Sequence, residues 1–98
     1  MESKTAVITG ASSGLGKELA LALANEGFNI VISGRNKEKL NLVKKEIEKK
    51  KVKCLVIEGD ITKKQVREKL FSETIDFFGS VDVLVNNAGV YLEKPFHE

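Results

Sequence analysis

Thr9-Gly10-Ala11-Ser12-Ser13-Gly14-Leu15-Gly16 is the stretch that decides how this chain is read. It joins a β-branched run, Lys4 to Thr9, to an alanine- and leucine-rich segment of helical period, Leu15 to Asn25. A turn that tight needs positive φ or a close backbone approach, and glycine allows both. Gly16 would let the helix pack close to the strand. A helix start offers unpaired N–H groups and the positive end of its dipole, which together suit a diphosphate. Ser12 and Ser13 add hydroxyl donors. Two rival phosphate motifs are excluded by inspection. A P-loop needs Ser or Thr after its Gly-Lys pair, whereas Gly16-Lys17 is followed by Glu18, and Ala11 occupies the required upstream glycine position. The spacing is G-x-x-x-G-x-G, so G-x-G-x-x-G is absent as well. Taken alone, the segment also admits a glycine-rich turn without a ligand.

Outward from that loop, strand-like and helix-like segments alternate. Gly27 stands where a helix C-cap belongs, and Phe28 to Ser33 forms a second strand. Leu40, Val43 and Ile47 recur at helical spacing in a charged segment reaching about Lys50. Val52 to Ile57 is a third strand. Thr62 is the expected N-cap of a third helix that carries Val66, Leu70 and Phe78. Val81 to Val85 is a fourth strand, after Gly79. A β-α-β-α-β-α-β order with apolar strands calls for an α/β fold with a parallel sheet and helices on its faces.

With 98 residues, there is room for one domain. A hydrophobic fraction of 42% and a charged fraction of 31% are ordinary for a globular protein, and a net charge of +2 gives no argument for nucleic acid. Lysines from Lys44 to Lys53 are interleaved with glutamates, as on a solvated helix face. No apolar run approaches the length of a membrane span, and the N-terminus lacks the pattern of a signal peptide, so a cytoplasmic location is expected. Cys54 is the single cysteine, which excludes an intrachain disulfide and a thiolate metal cluster. Its setting in Cys54-Leu55-Val56-Ile57 suggests a small buried strand residue.

Three motifs together resemble the short-chain dehydrogenase/reductase family, classical type, in its N-terminal portion. They are the Thr-Gly-x-x-x-Gly-x-Gly loop, Asn86-Asn87-Ala88-Gly89 after the fourth strand, and the weaker Asp60-Ile61 after the third. The resemblance implies a Rossmann-like, doubly wound sheet truncated to about four strands in the order 3-2-1-4, with three helices. It implies a single nucleotide-binding domain over residues 1–98. Gly10, Ala11, Ser12, Ser13, Gly14 and Leu15 would line the pyrophosphate, with Gly16 at the helix–sheet contact. Asp60 would accept from the adenine amino group, and Ile61 would frame the ring. Asn87, Ala88 and Gly89 would pass along the ribose. Asparagines after a strand also commonly make turns, the alternative for Asn86 and Asn87.

The residues after the second strand, Ser33-Gly34-Arg35-Asn36, include no carboxylate to hold a ribose 2′-hydroxyl. An arginine can meet a 2′-phosphate with a forked pair, which favours NADP(H), and Ser33 and Asn36 could add neutral bonds to it. An arginine pointing into water is the alternative. In this family, catalysis uses Tyr-x-x-x-Lys with a serine. Here Tyr91, the one tyrosine, has Lys94 three positions on. A one-residue slip turns a helical side chain by about 100°, so neither Tyr91 nor the lone His97 is assigned a catalytic role. The resulting expectation is the NADP(H)-binding part of an oxidoreductase, inactive alone, with no metal. It would form a homo-oligomer or be completed by another chain, and would bind neither nucleic acid nor membrane. A stand-alone nucleotide-binding or interaction module is the alternative.

Overall fold

The computed structural model describes residues 3–88. The chain runs β1 (Thr5–Thr9), α1 (Gly14–Asn25), β2 (Asn29–Gly34), α2 (Lys37–Glu48), β3 (Cys54–Glu58), α3 (Lys64–Phe78) and β4 (Val83–Asn86). All four strands are parallel, in the order β3-β2-β1-β4. The chain builds outward from β1 through β2 to β3, then returns to add β4 on the other side of β1. This is the expected 3-2-1-4 arrangement with three helices.

The strands alternate their side chains between the faces, as a pleated strand must. Ala6, Ile8, Ile30 and Ile32 lie under α1 and α2, together with Cys54. Val7, Val31 and Ile57 lie under α3. From α1 come the small residues Gly16, Ala20 and Ala24, one turn apart, which bring the helix axis close to the sheet. Leu40, Val43 and Ile47 supply the buried stripe of α2, each contributing roughly 1.5–3 kcal/mol of burial. On α3 the buried positions are Leu70, Phe71 and Thr74, and the Thr74 hydroxyl donates to the Leu70 carbonyl at 2.6 Å. Among the described residues one helix covers this second face, and Ile75 (38%) and Phe77 (57%) of α3 remain exposed.

Most element boundaries shift by one or two residues from the sequence reading, and side-chain bonds account for three of the shifts. The cap of α3 is Lys63, not Thr62, because the Thr62 hydroxyl is already committed to Asp60 Oδ1 at 2.7 Å. β4 begins at Val83, since Asp82 Oδ2 accepts the Thr5 N–H at 2.8 Å and the Asp82 N–H donates to the Thr5 carbonyl. β3 begins at Cys54, with the Asn29 carboxamide taking the Lys53 N–H at 3.0 Å. Gly27, just past the end of α1, has a φ of +94°, as a helix terminator should.

Candidate functional site

The carboxyl ends of the strands meet beside β1, where the strand order reverses. Ligands of open α/β sheets bind at such points. The β1–α1 loop is built by close contact. Gly10 takes a φ of +65°, and a Cβ there would lie 3.2 Å from Asn87 Nδ2 and 3.3 Å from the Ala88 backbone. A Cβ on Gly16 would run into the Gly10 carbonyl oxygen and come within 2.7 Å of Asn87 Nδ2. The Asn87 amide donates to the Gly10 carbonyl at 3.0 Å, so the Asn-Asn-Ala segment props the glycine loop. Thr9 completes the joint: its hydroxyl lies 3.1 Å from Asn86 Oδ1 and accepts the Ala88 N–H at 3.1 Å.

Above this joint a cleft of about 300 Å³ is lined by Gly10, Ser12, Ser33, Gly34, Arg35, Asn36, Gly59, Asp60, Ile61, Thr62 and Ala88. A second, more open groove of about 510 Å³ shares Ser12 and passes Ser13, Gly14, Lys17 and Leu42 between α1 and α2. Lys17 is tied to Glu46 at 3.3 Å along it. Ser13 makes no side-chain capping bond and the first turn of α1 carries no acidic residue. The N–H groups of that turn are therefore left without a side-chain cap.

Of the sequence-derived site residues, Gly10, Ser12, Arg35, Asp60, Ile61 and Ala88 share the cleft, and Ser13 and Gly14 line the adjoining groove. Leu15 is 62% exposed at the start of α1. Ala11 has a fully buried methyl, and its N–H donates to the Ser33 carbonyl at 3.1 Å, which anchors the loop to β2. Gly16 and Asn87 likewise act behind the loop, against the Gly10 carbonyl. Gly89, Tyr91, Lys94 and His97 lie outside the described residues.

Asp60 Oδ1 accepts both the Thr62 hydroxyl and the Thr62 N–H, at 2.7 and 3.0 Å. These bonds hold its carboxyl below the usual range, and the Arg35 and Lys63 charges help. Among the described residues Arg35 has no hydrogen bond or ion pair of its own, leaving its fork free at the cleft. Asn36 Oδ1 caps α2 by accepting the Lys39 N–H at 3.0 Å. Cys54 is buried beneath α2, far from this chemistry, with its thiol pushed up to about 12, chiefly by burial.

Sequence reasoning missed three contributors. Thr9 heads the glycine motif, so its presence there was the available signal. Gly59 precedes Asp60, and its N–H donates to the Gly34 carbonyl at 2.8 Å, closing the cleft floor. Thr62 was read as a helix cap; the Asp-x-Thr spacing carried the signal for its bond to Asp60.

A family profile described as short chain dehydrogenase matches residues 4–98. The chain is 45% identical over 96 residues to a diacetyl reductase, (S)-acetoin forming, of Staphylococcus epidermidis, covering 98% of this chain and 37% of that protein. L-Sorbose reductase from Gluconobacter frateurii, solved with NADPH and L-sorbose, superposes with a TM-score of 0.86 at 32% identity, over 98% of this chain and 37% of that one. A hydroxysteroid dehydrogenase from Escherichia coli gives 0.84 at 39% identity, over 99% and 41%. The chain thus spans little more than a third of the length of such relatives. By its profile, its strand order and its glycine loop, the chain belongs to the short-chain dehydrogenase family.

Proposed function

We propose that this chain is the NADP(H)-binding N-terminal part of a short-chain oxidoreductase that moves a hydride between NADP(H) and a carbonyl or alcohol. The observation that carries the reading is the meeting of the glycine loop, Arg35, Asp60, Ile61 and Ala88 around one cleft at the strand ends. The residues fit the cofactor. The uncapped start of α1 faces the loop, and a Cβ at Gly14 would have nothing within 4 Å, which leaves room for a diphosphate. Arg35 is a free guanidinium where an NAD-selective site would carry a carboxylate. The NADPH-bound L-sorbose reductase, similar over 98% of this chain, supports the same cofactor. When bound, the nicotinamide supplies the hydride; the residues here hold and orient the nucleotide.

The 98 residues contain no Tyr-x-x-x-Lys, and we propose that alone they bind cofactor without reducing a substrate. Among the described residues β4 is an edge strand carrying half-buried Leu84, and Ile75 and Phe77 of α3 are exposed; a free edge and exposed apolar side chains suit another copy or another polypeptide. Cytoplasmic residence belongs to the same reading. A thermal-shift titration with NADPH and NADH tests it. A ligand that binds only the folded state adds about 2.7 kcal/mol at a hundredfold excess over Kd. A clear rise with NADPH and a smaller one with NADH is expected. A cooperative melt that neither nucleotide moves would overturn the reading.

A further inference from the structure

Ser33, at the wall of the cleft, carries a buried polar atom that the described residues leave unmatched. Ser33 is 1% exposed, and its Oγ has no hydrogen-bond partner among the described residues. A buried hydroxyl without a partner destabilises the fold, and alanine would occupy the same place without that penalty. Yet Ser33 lines the cleft beside Gly10, Asp60, Ile61 and Ala88.

The face on which Ser33 stands decides what it can serve. Ile30 and Ile32 of β2 pack under α1 and α2, whereas Val31 packs under α3. Two residues beyond Val31, Ser33 shares the α3 face. Its register neighbour on β3 is Ile57, which packs in that same cluster. Ile61, from the segment joining β3 to α3, is also in that cluster. Arg35, just past the end of β2, lines the same cleft, and its charge acts on Asp60. The hydroxyl thus stands on the face shared by Ile57 and Ile61, beside the joint that carries Asp60.

We propose that Ser33 Oγ contacts the adenine base, and that it strengthens binding equally for cofactors with and without the 2′-phosphate. This rests on the cofactor reading above, and it moves Ser33 away from the phosphate role that its neighbourhood in sequence suggests. Adenine has ring nitrogens that accept and an amino group that donates, so a hydroxyl finds a partner there in either role. The bond forms only in the complex, so its whole effect appears in affinity.

The test is calorimetric titration of the chain and its Ser33→Ala variant with ADP and with 2′,5′-ADP, plus a melt of each protein without ligand. The variant should bind both nucleotides about five- to tenfold more weakly, by a similar factor for each. Its unliganded melting temperature should be unchanged or higher. Unchanged affinity for both nucleotides, or a loss confined to 2′,5′-ADP, overturns the assignment. So does a lower unliganded melting temperature, which would mean that the hydroxyl has a partner inside the protein. Ser33→Cys keeps the shape and weakens the hydrogen bond, so it should follow alanine; wild-type affinity in that variant also overturns it. Failure of the wild-type chain to bind either nucleotide is a separate result, which removes the cofactor reading and this inference with it.

Discussion

Gly16→Ala is the perturbation that most directly probes how the glycine loop is held. The added Cβ would overlap the Gly10 carbonyl oxygen and lie 2.7 Å from Asn87 Nδ2 and 2.9 Å from the Gly10 carbonyl carbon. Two of those atoms are backbone, so they cannot step aside as a flexible side chain would. Overpacking of this kind costs about 1–3 kcal/mol. Displacing Asn87 from the Gly10 carbonyl removes a hydrogen bond and costs about 1 kcal/mol more. Alanine returns about 1 kcal/mol over glycine inside a helix. The net loss is about 1–3 kcal/mol. At about 4–8 °C per kcal/mol for a domain of this size, the midpoint corresponds to a fall of roughly 10 °C. Thermal and urea unfolding of both proteins measure it. Combining Gly16→Ala with Asn87→Ala should give less than the sum of the single effects, because the two changes act on one contact. A Gly16→Ala variant that melts at or above the wild-type temperature would refute the close approach of α1 to β1.

Further outcomes follow from single residues. Lys51 ends the turn after α2 with a φ of 68°, so Lys51→Gly should raise stability by about 0.5–1 kcal/mol in urea unfolding; a loss would contradict the strain at that position. Cys54 should resist an aromatic disulfide reagent at mildly alkaline pH in the folded protein and react fully in denaturant, since the thiolate is the reactive form and burial suppresses it. Because the folded thiol titrates at about 12 against an ordinary 9.0, the folded state holds this proton longer, and its contribution to stability should decline as pH climbs through that window. Asp60 titrates below 3.8 in the fold, so its ionised form favours folding above the ordinary value and that contribution is lost as pH falls through the depressed one. Thr62→Val removes one of its two bonds and should move the carboxyl titration upward in an NMR pH series; an unmoved titration would contradict the bond.

The fold was legible because each level of the sequence agreed with the next. β-branched runs alternated with helical stripes such as Leu40, Val43 and Ile47, and three motifs fell at strand ends in the order of one family. What remained hidden depended on side chains joining distant segments. Asp82 terminates the approach to β4 by accepting from Thr5, and Asn29 takes over the start of β3, so apolar residues such as Val81 and Val52 fall outside the strands they seemed to begin. Thr62 had two roles open to it, and the bond to Asp60 won over capping α3. Ala11 sits inside the motif yet its amide is spent on Ser33, a bond that needs β2 to be placed beside the loop. The orphaned hydroxyl of Ser33 is visible only once the strand faces are known.

Arg35 is the residue proposed to read a 2′-phosphate at this cleft. Its most direct test is an equilibrium titration of the chain and its Arg35→Ala variant with NADPH and NADH. A charge-assisted forked pair contributes about 1.5–3 kcal/mol, so wild type should prefer NADPH by roughly tenfold to a hundredfold. In the variant that preference should collapse while NADH affinity stays near wild type. Equal affinities for the two nucleotides in the wild-type chain, or an undiminished preference in the variant, would contradict the account.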